Sequence, residues 1–89
     1  MPLSSTVKKD IIKEFQTVQG DTGSPEVQVA LLTHRIERLT EHLKLHGHDN
    51  HSRRGLLSMI AKRRRLLNFL VKVDKARSSD IAKKIGLKD

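Results

Sequence analysis

Apolar residues near the start of the chain recur at helical spacing. Val7, Ile11 and Phe15 stand four residues apart, and Ile12 and Val18 lie beside them. Because this spacing gathers apolar side chains on one face, it predicts a first helix over roughly 5–17. The stretch QGDTGS that follows contains two glycines and ends the pattern.

A second apolar series begins after Ser24-Pro25. Serine is a favoured N-cap and proline suits the first helical position, so this pair predicts a helix start. No helix breaker follows until about Leu45, which gives a helix roughly 30 Å long. Its apolar positions are spaced alternately by three and four, which is typical of a seam that faces partner helices. They are Val29, Leu32, Ile36, Leu39 and Leu43.

A third long helix is predicted from about His51 to Lys72, after the connection HGHDN. In this connection Gly47 is expected to stop the second helix, and Asp49 or Asn50 to lie at the cap of the third. Apolar residues run through the third helix: Leu56, Leu57, Ile60, Leu66, Leu67, Leu70 and Val71.

The C-terminal residues predict one more helix. The segment DKARSSD, residues 74–80, is taken as a connection, and a short fourth helix fits 80–85, closed by Gly86. No alternating strand pattern competes with these helices. The predicted fold is all-α, with two long antiparallel helices, the first helix packed across them and a short C-terminal helix.

Length and composition limit the classes of protein to which the chain can belong. The 89 residues fit a single domain, 1–89, with a modest core. There is no cysteine, which excludes disulfides, thiolate nucleophiles and cysteine zinc sites. Apolar runs are too short to span a bilayer, and the N-terminus lacks the apolar core of a signal peptide. We expect a cytoplasmic protein that is monomeric when free and has no membrane partner.

The distribution of charge indicates a polyanionic partner. The net charge is +8, but residues 1–48 carry six basic and six acidic residues. Residues 49–77 carry nine basic residues against Asp49 and Asp74, so nearly all of the excess lies in one third of the chain. Such a cluster is typical of a protein that binds polyphosphate, the alternative being an ordinary solvated face.

Polar residues of the two long helices form candidate contact surfaces. Gln28, Arg35 and His42 are spaced by seven and form one line along a flank of the apolar seam. Such side chains contact base edges, sugar hydroxyls and phosphate, and the alternative is an ordinary polar flank. On the third helix, Arg63 must extend its head past the core. Lys62 and Arg64 flank the apolar stripe of this helix, and Arg54, Arg65 and Lys72 lie close together on the opposite side.

Phe69 falls outside the apolar stripe of the third helix, beside Arg65 and Lys72. A half-exposed aromatic ring among cations suits stacking on a base or a sugar. Before any resemblance is considered, packing of the ring beneath a neighbouring loop is an equally good interpretation.

The stretch HLKLHGHDNHSRRGLL, residues 42–57, holds four of the five histidines. His42 and His46 have the spacing of two metal ligands on one helix. However, the glutamate of the HExxH motif is missing, and the basic surroundings disfavour a divalent cation. Asp49, His51 and Ser52 supply the residue types of a catalytic triad, but close sequence neighbours rarely adopt that geometry. We therefore expect no metal, no cofactor and no enzymatic activity.

Other binding partners fit this pattern less well than RNA. A helix-turn-helix DNA-binding protein has a shorter helix pair, and a membrane-surface helix needs the apolar face that the core requires. A protein-interaction adaptor is expected to expose a large apolar patch and to tolerate loss of its arginines. Long packed helices with polar loops and flanks suit an irregular RNA, contacted at several points through its backbone and shallow minor groove.

Two segments closely resemble a known family. GDTGSPEVQVALLTHRIERLTEHL and HSRRGLLSMIAKRRRLLNFL are similar to segments of the fifteenth protein of the bacterial small ribosomal subunit, and the resemblance covers essentially the whole chain. It implies a four-helix ribosomal protein that binds the central domain of 16S rRNA early in assembly and organises the platform. It also implies a bridge to 23S rRNA, neighbouring small-subunit proteins as partners and, in some relatives, repression of translation of their own mRNA.

The resemblance further implies which residues contact RNA. The contacts of the family with a three-way junction correspond here to Thr22, Gly23, Gln28, Arg35 and Phe69. Its contacts with the minor groove of a guanine-rich helix correspond to His42, Asp49 and Ser52.

Asp49 has two interpretations. It caps the third helix, or it accepts a hydrogen bond from a guanine amino group, the donor that the minor groove exposes. Phosphate neutralisation is assigned to cations of both long helices: Arg35, Arg54, Lys62, Arg64, Arg65 and Lys72.

Two positions depart from the family pattern. Relatives usually have tyrosine where this chain has Phe69, so the ring can stack but the phenolic hydrogen bond is lost. Many relatives have a more basic pair where this chain has Gly47-His48. A less cationic loop is therefore expected between the two long helices.

Overall fold

Four helices follow one another in the computed structural model, which describes residues 5–15 and 23–86. The helices are α1 (Ser5–Phe15), α2 (Pro25–Leu45), α3 (Asn50–Val73) and α4 (Lys75–Lys84). The predicted all-α fold with two long helices is confirmed. The first helix was predicted to continue to residue 17, and residues 16 and 17 lie outside the described ranges.

Side-chain caps determine where the two long helices begin. Ser24 Oγ accepts a hydrogen bond from the backbone N–H of Val27 at 3.3 Å, and Pro25 is the first residue of α2. Asp49 Oδ1 accepts a hydrogen bond from the backbone N–H of Ser52 at 3.0 Å and caps α3. Each cap satisfies an N–H that has no acceptor within its helix. Both predicted helix starts are confirmed.

The two helix ends at which glycine was expected differ from each other. α2 ends at His46, whose backbone N–H donates to the carbonyl of His42 at 2.9 Å. α2 ends directly before Gly47, where the sequence predicts its stop, but Gly47 does not adopt a positive φ: the helix ends through His46, whose φ of −129° and ψ of 62° lie outside the helical region. Gly86 has a φ of 80° and does close α4, in the left-handed conformation that favours glycine.

The start of α4 also differs from the prediction. The sequence pattern predicts a connection over DKARSSD and a helix over 80–85, but α4 begins at Lys75. The backbone N–H of Asp74 donates to Leu70 O at 2.7 Å and closes α3. Its carboxylate accepts from the N–H groups of Ala76 and Arg77 at 3.1 and 3.3 Å. Because one aspartate ends α3 and caps α4, no connecting loop is needed.

α2 and α3 pack as an antiparallel pair. Arg63 Nη1 donates to Thr33 Oγ1 at 3.3 Å, and Gly55 lies against the side chain of Leu39. The contact nearer the C-terminal end of α2 is therefore the one nearer the N-terminal end of α3, as in an antiparallel hairpin. The predicted seam of α2 is buried at four positions and half-buried at Leu43. The buried positions are Val29, Leu32, Ile36 and Leu39.

The main core lies where α1 and α4 pack against this pair. It draws on all four helices: Ile11, Phe15, Val27, Val29, Ala30, Leu70 and Ile81. Within α3, which is described in full, Leu70 alone is buried. Leu57 and Val71, which the sequence grouped with the apolar stripe, are 62% and 50% exposed. A domain of this size has too few elements to cover both sides of a long helix.

Replacing Leu70 with alanine should lower the free energy of unfolding by about 2–5 kcal/mol, because truncating a fully buried leucine leaves a cavity. The matched control is Val71→Ala at the half-exposed neighbouring position, where a loss below about 1 kcal/mol is expected. Urea unfolding followed by circular dichroism measures both variants. Equal losses would contradict the difference in burial.

Candidate nucleic-acid interface

The end of α2 and the start of α3 bring three predicted contact residues together. Asp49 Oδ2 lies 2.9 Å from His42 Nε2 and accepts a hydrogen bond from Ser52 Oγ at 2.6 Å. Asp49 Oδ1 also accepts the capping bond from the backbone of Ser52. One side chain from α2, one from the turn and one from α3 thus form a single hydrogen-bonded cluster, which we call the loop cluster.

The hydrogen bonds of the loop cluster stabilise the ionised form of Asp49. The hydroxyl of Ser52, then its backbone N–H and then His42 hold the pKa of the Asp49 carboxyl well below its usual range. An ionised carboxylate only accepts hydrogen bonds, so His42 Nε2 is the donor in its contact with Asp49. A carboxylate has about four acceptor positions, and three are used here, which leaves capacity on Oδ1 for a donor from a partner.

Two further contacts surround the loop cluster. The imidazole rings of His42 and His46 lie 4.7 Å apart between centroids and are tilted by 33°. Arg53 Nη2 donates to the carbonyl of Gly47 at 2.6 Å and holds the loop against α3. Sequence reasoning missed Arg53, because nothing distinguishes it from the other cations of the segment until the loop carbonyl is placed. Across residues 5–15 and 23–86, no group of three or more His, Cys, Asp or Glu side chains could hold a metal ion.

The opposite end of α2 holds the predicted contacts of the first loop. The carbonyl of Gly23 accepts a hydrogen bond from Gln28 Nε2 at 2.7 Å, so Gln28 ties the turn to the helix. Gly23 is exposed and Gln28 is half-buried. Thr22, the remaining residue predicted for this loop, lies outside the described residues. We call Gly23 and Gln28 the first-turn pair.

Flank residues of α2 and α3 lie on the same side of the helix pair. Arg35 directly precedes the buried Ile36, and Phe69 directly precedes the buried Leu70. Successive residues of an α-helix are ~100° apart around its axis. Arg35 and Phe69 are therefore each displaced by ~100° from the helix–helix contact, in the same rotational sense when each helix is viewed from its N-terminus. Because the helices run in opposite directions, equal turns bring both flanks to one side. Gln28, before buried Val29, falls on this flank as well.

Cations of α3 divide between its two flanks. Phe69 is 52% exposed, as the prediction of a half-exposed ring requires. Lys62 directly precedes Arg63, the residue that contacts α2, and lies on the flank of Phe69. Arg64 follows Lys62 by two residues and is turned ~200° away from it, so these two cations do not share a surface. Three more exposed cations lie towards the back of α3, nearer the Phe69 flank: Arg54, Arg65 and Lys72.

Comparison with known proteins identifies the family. The family model described as Ribosomal protein S15 matches residues 8–88. The chain belongs to this family. It is 58% identical over 88 residues to the small ribosomal subunit protein uS15 of Frankia casuarinae, covering 99% of each chain.

Relatives of the same name from other bacteria give similar values. The Streptomyces coelicolor protein is 58% identical over 88 residues, which cover 99% of this chain and 93% of the relative. The Kineococcus radiotolerans protein is 56% identical, with 99% of both chains covered. The resemblance noted in the two sequence segments is confirmed. Family membership makes the chain a structural, non-enzymatic constituent of the small ribosomal subunit.

A search for helices long and apolar enough to cross a membrane finds none among the described residues.

One ion pair close to the first-turn pair was not found from the sequence. Arg77 Nε and Nη2 donate to the two carboxylate oxygens of Glu26, each at 2.6 Å. The two residues are 51 positions apart, and Arg77 lies in the segment that was taken as a connection. No spacing rule links residues so far apart, so only the packing of α4 on the start of α2 reveals the pair.

Asp49→Asn should lower the free energy of unfolding at neutral pH, and the difference from wild type should become smaller in acid. A carboxyl whose pKa is lowered by folding stabilises the folded state above its unfolded pKa, and the contribution is lost as pH falls towards the folded pKa. The difference in free energy of unfolding between wild type and variant should be constant above about pH 5 and shrink below about pH 4. Urea unfolding across this range measures it.

Asp80→Asn, at an exposed position of α4, is the matched control. It removes the same charge from a site without the contacts of the loop cluster, so it should not reproduce the pH-dependent difference. A wild-type advantage over Asp49→Asn that stayed constant down to strongly acidic pH would assign the effect to side-chain shape rather than to charge.

Proposed function

We propose that this chain is a primary binder of the central domain of 16S rRNA and grips it at two places. The first-turn pair and its neighbours contact a three-way junction, and the loop cluster contacts the minor groove of an adjacent RNA helix. The observation that carries the proposal is the position of these two polar groups at opposite ends of α2, beside the cationic flank of α3. Family membership supplies the ribosomal partner.

The junction contact is assigned to the end of the helix pair where α2 begins. The residues that form it are Thr22, Gly23, Gln28, Arg35 and Phe69. The exposed backbone of Gly23 lets a sugar-phosphate edge approach closely, since nothing lies within 4 Å of where its Cβ would be. Arg35 supplies a guanidinium fork for phosphate, and the exposed ring of Phe69 stacks on a base or sugar.

The helix contact is assigned to the loop cluster of His42, Asp49 and Ser52. A carboxylate that stays ionised repels phosphate, so its place on an RNA-facing surface makes sense if it meets a base donor. The guanine amino group is the donor that the minor groove presents. Capping of α3 and base readout are compatible roles for Asp49, because the capping bond uses one acceptor position of Oδ1.

Phosphate neutralisation is assigned to the exposed cations of α3, with Arg35 of α2. Those on α3 are Lys62 on the Phe69 flank, Arg54, Arg65 and Lys72 towards the back of the helix, and Arg64 on the opposite flank. Lys and Arg at such positions release counterions from the RNA, so they determine how steeply binding falls with salt. They add affinity without reading sequence.

Binding at both ends of a rigid helix fixes the geometry of the RNA. α2 has 21 residues, so its ends are ~30 Å apart. A single domain, 1–89, that holds a junction and a neighbouring helix at this separation favours one angle between the RNA arms. We infer that this selection of one RNA conformer is how the chain nucleates assembly of the platform.

Further parts of the proposal rest on the family resemblance alone. They are a bridge to 23S rRNA through the loop at Gly47-His48, contacts with neighbouring small-subunit proteins, and repression of translation of the chain's own mRNA. A cytoplasmic location within the ribosome and a monomeric free state belong to the same proposal.

A salt titration of RNA binding tests the main proposal. The probes are a junction fragment of the 16S central domain and an unrelated duplex of equal length. A strong preference for the junction fragment that persists at moderate salt supports structured-RNA recognition. Equal and steeply salt-dependent binding to both RNAs would reduce the chain to a general polyanion binder and remove the specific site assignments.

Asp49→Ala and Arg65→Ala should weaken binding in different ways. Asp49→Ala should reduce affinity for the junction fragment with its adjacent helix by roughly tenfold, with little change in salt slope, because it removes a base contact. Arg65→Ala should reduce the slope by about one, because it removes one phosphate contact. Fluorescence anisotropy at several salt concentrations measures both quantities.

Two exposed residues outside the proposed interface provide the controls for this pair. Asp80→Ala matches the loss of a carboxylate, and Lys9→Ala matches the loss of a cation. Neither should change affinity or slope as strongly as the interface variants. If Asp49→Ala and Arg65→Ala both alter only the slope, the division into base-reading and phosphate-binding residues is wrong.

A further inference from the structure

A partly buried ion pair joins α4 to the first turn of α2. Arg77 forms a bidentate pair with Glu26, with both nitrogen–oxygen distances at 2.6 Å. The side chain of Glu26 is only 11% exposed, and that of Arg77 is 39% exposed. Two parallel charge-assisted hydrogen bonds of this length define the orientation of both partners as well as their separation.

The position of the pair places it next to the proposed junction contact. Glu26 lies between Ser24, which caps α2, and Gln28, which holds the carbonyl of Gly23. Three side-chain contacts therefore fix a single helical turn. Two of them come from the turn itself, whereas the contact from Arg77 arrives from α4.

Arg77 is itself firmly placed. Its backbone N–H donates to Asp74 Oδ1, the cap of α4, and α4 is anchored in the main core by Ile81. The guanidinium therefore reaches Glu26 from a helix that is fixed independently of α2. Because α4 is held by the core, the contact between Arg77 and Glu26 fixes the first turn of α2 relative to the core.

We propose that Arg77 is a positioning residue for the junction-binding end of α2. The proposal rests on the proposed function, because it concerns how that site is held. Arg77 acts through Glu26: the ion pair fixes the first turn of α2, which carries Gln28, before RNA arrives.

Loss of this contact weakens junction binding. Without Arg77, the mostly buried carboxylate of Glu26 loses two charge-assisted hydrogen bonds, so the turn would rearrange to expose Glu26 to water. Reordering that turn would then lower the affinity for RNA, because binding must restore one conformation.

Loss of the ion pair between Arg77 and Glu26 should not affect RNA binding by the loop cluster. Glu26 and His42 are 16 residues apart on one helix, which places them ~24 Å apart. At physiological salt this separation is about three Debye lengths, so a charge at Glu26 is screened at the other end of α2. The inference therefore predicts a loss confined to one of the two RNA contacts.

The experiment compares Arg77→Met with Lys75→Met in the full-length chain. Lys75 is an exposed cation on the same helix, so its variant loses the same charge without the pair. The probes are the junction fragment and a duplex that carries only the guanine-rich helix site. For the junction fragment, Arg77→Met should weaken binding roughly tenfold more than Lys75→Met does. For the helix duplex, the two variants should bind alike.

Two further variants separate positioning from a general loss of charge or of folding. Arg77→Lys keeps the net charge but loses the bidentate fork, so it should show an intermediate loss on the junction fragment alone. Glu26→Gln combined with Arg77→Met removes the uncompensated carboxylate and should recover much of the junction affinity. Thermal unfolding of each variant shows which are folded, and Arg77→Lys carries the test if Arg77→Met is unfolded.

Failure of the inference differs from failure of the proposed function. If the wild-type chain shows no preference for the junction fragment, the proposed function is wrong. If that preference exists and Arg77→Met or Arg77→Lys keeps it at the level of Lys75→Met, the positioning role is wrong. Equal losses on the junction fragment and the helix duplex would also overturn it, because they would indicate a general loss of structure.

Discussion

Antiparallel packing of α2 against α3 determines what this chain can present to a partner. Only residues 46–49 connect the two helices, so they must return along each other, and the contacts of Arg63 with Thr33 and of Gly55 with Leu39 show their register. This direction brings one flank of each helix to the same side. α2 contributes polar groups spread along ~30 Å, and α3 contributes cations. Only the packed helix pair presents both to one partner.

Acidic residues have structural roles in the basic part of the molecule. Asp49 caps α3 and organises the loop cluster, and Asp74 ends α3 while it caps α4. Glu26, in the neutral N-terminal half, receives a cation from the basic segment. Each of these carboxylates accepts hydrogen bonds that hold a helix end or join two helices, and the segment around Asp49 and Asp74 keeps a strong excess of cations.

The two ends of the helix pair are stabilised differently. At one end, α1 and α4 cover apolar residues such as Leu70, and the hydrophobic effect dominates. At the other end, the α2–α3 loop is held by polar contacts, those of Asp49 with His42 and of Arg53 with Gly47. A domain of this size has too few residues to form a second large core. The loop cluster therefore depends on hydrogen bonds near the surface.

The sequence by itself determined the features that depend on local order. Ser24 and Asp49 marked helix starts because capping requires only neighbours, and the charge partition and the family segments follow directly from residue order. Tertiary structure decided what depends on distant neighbours. Leu57 has the same apolar side chain as the buried leucines, but it is exposed because none of the four described helices covers it. The pairing of Arg77 with Glu26 joins residues 51 positions apart, because α4 packs where α2 begins.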